Sequence, residues 1–106
     1  MSEVIVAGSD PDGLAPALEK RGADVTHAAG TANRPALEEA GIVDADVLVV
    51  TDADLATSVP IAVDLNSDLR VVVYARDSVP EFVKGQADHI VDPDLLSPGT
   101  VAEEIV

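Results

Sequence analysis

Short, unbroken apolar runs alternate along the chain with stretches whose apolar residues recur at helical spacing. Val4-Ile5-Val6-Ala7 is the first run, ending at Gly8, and Leu14, Ala17 and Leu18 follow on one helical face. Asp24 to His27 predicts a second strand, and Asn33-Arg34-Pro35 opens a short helix that stops at Gly41. Asp46 to Val50 is the strongest strand signal, apolar without alternation, as befits a parallel strand covered on both faces. A helix with Ile61, Val63 and Leu65 comes next, and Arg70 to Tyr74 repeats the buried-strand pattern. Ser78-Val79-Pro80-Glu81 reads as a capping box for a short helix closed by Gly85. Asp88 to Val91 predicts a fifth strand, and Ser97-Pro98 opens a last helix. Five strands alternating with helices predict a three-layer α/β fold with a parallel sheet and right-handed crossovers.

Proline positions sharpen the helix starts, because proline lacks the N–H that an interior turn needs. Pro16 places the first start near Asp12 or Gly13, and Pro60 places the third near Thr57 or Ser58. Thr51 to Ala56 then forms an irregular turn above the third strand.

At 106 residues the chain is long enough for one domain, residues 1–106, and no more. The 20 acids against 6 bases give a net charge of −14, which argues against nucleic acid and anionic membranes as partners. No apolar stretch approaches the roughly 18 residues of a membrane span. With no basic start followed by a long apolar run, the expected location is the cytoplasm, without membrane insertion. There is no cysteine, so disulfides, thiolate metal sites and a cysteine nucleophile are excluded. The acids are mostly Asp, 13 of the 20, and are spread along the whole chain over an apolar set rich in Ala and Val. That composition predicts a halophilic surface, since at ~1 M salt the Debye length shrinks to roughly 3 Å and self-repulsion is screened.

Candidate chemistry concentrates at the carboxyl ends of the strands. Gly8-Ser9-Asp10-Pro11-Asp12-Gly13 lies where a doubly wound fold binds phosphate. Gly8 and Gly13 match the outer glycines of a dinucleotide fingerprint, but Asp10 replaces the middle one and repels a pyrophosphate. Asp12 is expected to cap the first helix, using amides that a phosphate would need. The second strand ends His27-Ala28-Ala29-Gly30, without the acid that clamps a ribose. Thr51, Asp52 and Arg76 complete the set lining the expected crevice. No cofactor is therefore expected; NAD(H) or an adenine nucleotide stays as the alternative ligand. Asp10, Asp12 and Asp52 would lie near one another, yet a specific metal site is not expected among so many acids. His27 and His89 read as strand-end residues, and Ser9, Ser58, Thr51 and Ser78 have no histidine partner for a triad. No catalytic residues are assigned. Arg76 and Asp77 either touch a ligand or pair with each other, and Phe82 is a candidate contact for a protein partner.

LEEAGIVDADVLVVTD (Leu37 to Asp52), DLNSDLRVVVYARD (Asp64 to Asp77) and GQADHIVDPDLL (Gly85 to Leu96) resemble the N-terminal Rossmann-type domain of Trk-family potassium-transport regulators, the TrkA-N or RCK family. The chain also resembles short haloarchaeal proteins of a reduced type, which sometimes carry the label CTP synthetase. No P-loop supports that label. The resemblance implies an NAD(H)- or adenine-nucleotide-binding domain acting through dimer contacts, here with one helix–strand unit lost after the second strand. Removing that unit turns the strand order 3-2-1-4-5-6 into 2-1-3-4-5, the flavodoxin and response-regulator order.

That order brings receiver domains forward as an alternative. They carry two acids after the first strand, a phosphoacceptor Asp at the end of the third and a Lys at the end of the fifth. Asp10, Asp12 and Asp52 resemble the first three. However, Asp52 follows Thr51 instead of ending the strand, Ala75 sits where a hydroxyl is expected, and Asp92 replaces the lysine. The sequence therefore predicts first a non-catalytic regulatory or interaction module with a protein partner or itself as a dimer. A nucleotide-binding domain in a modified pose comes second, and a degenerate receiver or an enzyme comes last.

Overall fold

The computed structural model describes residues 2–105. Five strands, β1 (Glu3–Ala7), β2 (Asp24–Ala28), β3 (Val47–Val50), β4 (Arg70–Tyr74) and β5 (His89–Val91), form one parallel sheet. Their order is β2-β1-β3-β4-β5, as the pattern predicts. The helices are α1 (Leu14–Lys20), α2 (Arg34–Ala40), α3 (Ser58–Leu65), α4 (Glu81–Lys84) and α5 (Pro98–Ile105).

Strand alternation divides the core in two. Val4, Val6, Val47, Val49, Val72 and Tyr74 meet Leu14 and Leu18 of α1 and Val101, Ala102 and Ile105 of α5. Ile5, Leu48, Val50, Val71 and Val73 face the other way, onto Leu37 of α2, Val59 and Ala62 of α3 and Val83 of α4. Every residue of β3 is buried, because this central strand has a paired neighbour on each side and helices on both faces. Each such Val or Leu contributes roughly 1.5–3 kcal/mol by leaving water.

Local chemistry sets the ends. The Asn33 side chain accepts from the Ala36 N–H at 3.1 Å, and Gly41 closes α2 at φ 93°. The irregular turn after β3 contains a single 3-10 turn at Ala53–Leu55. The capping box is absent: Pro80, at ψ 152°, is the residue before α4, and Ser78 makes no cap bond there. Val79 is buried in the core, and the extended backbone that inserts it leaves the helix only four residues. Gly85 follows α4 at φ −82°, so it closes the helix without the left-handed turn expected of it.

Candidate functional site

The loops after β1, β3, β4 and β5 meet above the carboxyl ends of the strands, around a cleft of about 310 Å³. Ser9, Asp12, Thr51, Asp52 and Arg76 line it, together with Tyr74, Ala75, Asp77 and Pro93. Five of the eight sequence-predicted residues thus share one site. Gly8, Asp10 and Gly13 shape the β1–α1 loop beneath it instead.

Gly8 stands at φ 110°, a conformation that favours glycine. A Cβ there would lie 2.6 Å from Thr51 Oγ1 and 3.1 Å from the Asp52 Cβ, so the turn after β3 packs directly against Gly8. The Thr51 N–H donates to the Ala7 carbonyl at 3.0 Å, prolonging the β1–β3 ladder by one residue. Its hydroxyl donates to the Ser9 carbonyl, with the Ala7 carbonyl also in reach at 3.2 Å. Thr51 is therefore fastened face-down where β3 ends, and Asp52 comes one residue too late. The Asp52 carboxylate turns along its own loop, accepting from the Asp54 N–H at 2.9 Å.

The helix cap falls to the other acid of the β1–α1 loop than expected. Asp10, not Asp12, caps α1, its two oxygens accepting from the Leu14 and Ala15 N–H groups at 2.9 and 2.8 Å. The left-handed Gly13 carries no side-chain cap and lets the chain turn back so that the earlier carboxylate reaches these amides. The amides an anion would use are already satisfied.

Asp12 instead receives both terminal nitrogens of Arg76, Nη2 at 2.8 Å and Nη1 at 3.1 Å. Arg76 Nε donates to Asp94 at 2.9 Å, so the guanidinium pairs with two carboxylates and not with Asp77. These bonds, to Asp12 first and Asp94 second, raise the Arg76 pKa further above its ordinary value. Beneath them the buried Tyr74 hydroxyl donates to the Leu96 carbonyl at 2.8 Å. Burial, followed by the negative charge of Asp12, pushes its pKa above the usual 10. Asp94 and Tyr74 escaped the sequence reading, because only the fold brings them to this cleft. Among the described residues no group of three His, Cys, Asp or Glu is arranged to hold a metal ion.

His27 and His89 are exposed and far from the cleft, at opposite edges of the sheet. Ser58 is buried and donates to the Ala32 carbonyl at 3.0 Å, a structural bond. Phe82 is exposed on α4. Among the described residues no helix is long and apolar enough to cross a membrane.

A family model described as a family of unknown function, DUF7126, matches residues 4–105. The chain belongs to this DUF7126 family. No curated protein matches it. Among solved structures, the DUF7126 chain is similar to an orphan response regulator of H. pylori, with TM-score 0.71 and 19% identity over 98% of this chain and 92% of that one. It is also similar to a putative pilus assembly protein, CpaE, from Burkholderia thailandensis, with TM-score 0.68 and 17% identity over 98% and 94% of the two chains. A Burkholderia pseudomallei response regulator, whose structure holds a phosphorylated aspartic acid, a calcium ion and citrate, gives TM-score 0.66 and 22% identity over 99% and 71%. At these identities the likeness shows the fold alone: the DUF7126 chain shares the parallel five-stranded α/β fold of these response regulators.

These findings overturn the TrkA-N and RCK resemblance. The quoted motifs cover the end of α2, the buried β3 and β4, and the edge strand β5 with their flanking turns, and such helix and strand patterns occur in doubly wound sheets generally. What the motifs carry is the fold, and with β2 at the sheet edge that fold is the receiver arrangement.

Proposed function

We propose that this chain is a non-catalytic, receiver-like regulatory module that works through protein contacts. The observation carrying this reading is Thr51. A receiver's phosphoryl chemistry needs a carboxylate at the end of β3, a cation to balance the transferred charge and acids to seat it. Here the end of β3 holds a hydroxyl tied to the opposite loop. Asp10 serves as a helix cap, and Asp12 is neutralised by Arg76. Ala75 and Asp92 stand where such a site needs a hydroxyl and a lysine. Each departure alone weakens phosphoryl transfer, and together they leave a scaffold whose surface does the work.

The test is incubation with acetyl phosphate and Mg²⁺ at high salt, read by intact-protein mass spectrometry and amide NMR. The expected result is no phosphoryl adduct and no shift at the carboxyl ends of the strands. A stoichiometric adduct on Asp52, Asp10 or Asp12 would overturn the reading.

A further inference from the structure

The sheet ends in two open edges of opposite character. At β2 the exposed residues are polar: Asp24, Thr26 and His27. At β5 the central residue is Ile90, 47% exposed, between the acids Asp88 and Asp92. Asp88 Oδ2 accepts from the Val71 N–H at 2.8 Å and Asp92 Oδ1 from the Asp94 N–H at 2.9 Å, so each offers its other oxygen to a partner. The Val91 carbonyl accepts from the Ala75 N–H at 3.2 Å, so Val91 turns its backbone toward β4. Strand alternation then turns the Ile90 N–H and C=O outward, to the open side.

Beside this edge α5 stops short of covering the sheet. A groove of about 290 Å³ runs between β5 and α5, floored by Val72, His89 and Val91 and walled by Leu96, Val101 and Ile105. Arg70 and Glu104 stand at its margins. Backbone polarity, an apolar side groove and acidic flanks therefore coincide at one strand.

We propose that the β5 edge binds an extended segment of a partner protein as a sixth strand, the segment having an apolar centre with a basic residue two positions away on each side. This inference rests on the interaction-module reading and names its surface. An antiparallel strand centred on Ile90 exchanges both backbone hydrogen bonds with it and sets its own second neighbours opposite Asp88 and Asp92. Basic side chains at those places complement the two acids. The residues between face the same way as His89 and Val91, into the apolar groove. A second copy of this chain is the wrong occupant: self-pairing of β5 in that register sets Asp88 opposite Asp92, like charge against like.

The experiment titrates the ¹⁵N-labelled chain with three capped peptides: Arg-Val-Leu-Val-Arg, Arg-Val-Pro-Val-Arg and Glu-Val-Leu-Val-Glu. The first should shift the amides of His89, Ile90 and Val91 and of the α5 wall. The proline peptide keeps the charge but lacks the central N–H, and should bind about tenfold more weakly, the worth of a good hydrogen bond. The glutamate peptide should not bind. Glu104→Lys beside the groove should weaken binding several-fold, while Glu38→Lys on the remote face of α2, with the same change in net charge, should leave it unaltered. Equal binding of both arginine peptides, equal effects of the two substitutions, or shifts scattered over the acidic surface would overturn the proposal. So would β5 shifts that appear on concentrating the chain without peptide, since these would mark self-association. A phosphoryl adduct would sink the module reading separately, without touching these titrations.

Discussion

Arg76 and Asp12, 64 residues apart in sequence, meet in a two-pronged ion pair at 2.8 and 3.1 Å. The pair joins the loop after β4 to the loop after β1, and Asp94 extends it to the loop after β5. A guanidinium fork suits such carboxylate pairing better than an ammonium, since its donors are fixed in one plane. Its side chain is about half exposed (47%), so solvent and salt temper what the network adds to stability.

Arg76→Met should lower Tm in dilute buffer, by a difference that shrinks in molar KCl. It should also raise the Tyr74 pKa further, because the Arg76 charge lowers it while burial and the neighbouring carboxylates of Asp12, Asp10 and Asp94 raise it. Tyr74 is the only tyrosine and the chain has no tryptophan, so phenolate absorbance reads this one group. An unchanged phenolate titration would count against the geometry.

Tyr74 also sets an alkaline limit. Its hydroxyl holds its proton more tightly folded than unfolded, so in alkali the native state binds more protons. The contribution is fully present below pH 10, the ordinary tyrosine value, and is lost as pH climbs from there through the raised native value. Tyr74→Phe should remove that slope and cost about 1 kcal/mol at neutral pH through the lost bond to Leu96. Urea melts at pH 7, 9 and 10.5 test both halves of the statement.

Gly8→Ala should destabilise the fold by roughly 1–3 kcal/mol, through its positive φ and the contact with Thr51. Adding Thr51→Ala should recover part of the loss by removing the close oxygen but leave the strain of φ. Full recovery in the double variant would assign the whole cost to the contact.

Asp10→Ala should cost about 1 kcal/mol, as for other lost helix caps, and show first as faster amide exchange in α1. The unmodified chain should show no saturable NADH binding below about millimolar, because Asp10 fills the amides and Asp12 holds Arg76. Micromolar NADH binding by calorimetry would reverse this expectation.

The net charge of −14 predicts a fold firm in molar KCl and weak at about 0.01 M salt, where the Debye length is roughly 30 Å. Thermal melts across that range decide it; a flat Tm would remove the halophilic interpretation.

The fold was legible because its central strands are buried on both faces and say so in their composition. Val47 to Val50 and Arg70 to Tyr74 carry little else. The helix bounds followed from Pro16, Asn33, Gly41 and Pro60, each a local backbone constraint. The site was legible only as a neighbourhood. Asp10 and Asp12 have the same side chain two positions apart, and what separates cap from ion pair is an arginine on another strand's loop. The misplaced family arose likewise, since buried parallel strands look alike whatever their loops do. The capping box failed for want of tertiary information: burying Val79 outweighed the local pattern.

The Thr51 hydroxyl also constrains what its own position can hold. Its single hydrogen serves a pair of carbonyl oxygens, from Ala7 and Ser9, packed around it. Replacing Thr51 by Asp would put an ionised acceptor beside two carbonyl acceptors in place of the donor they now receive. Under the receiver-like reading, Thr51→Asp alone should therefore leave the chain without a phosphoryl adduct after acetyl phosphate treatment, because the loop at Gly8 must reopen first.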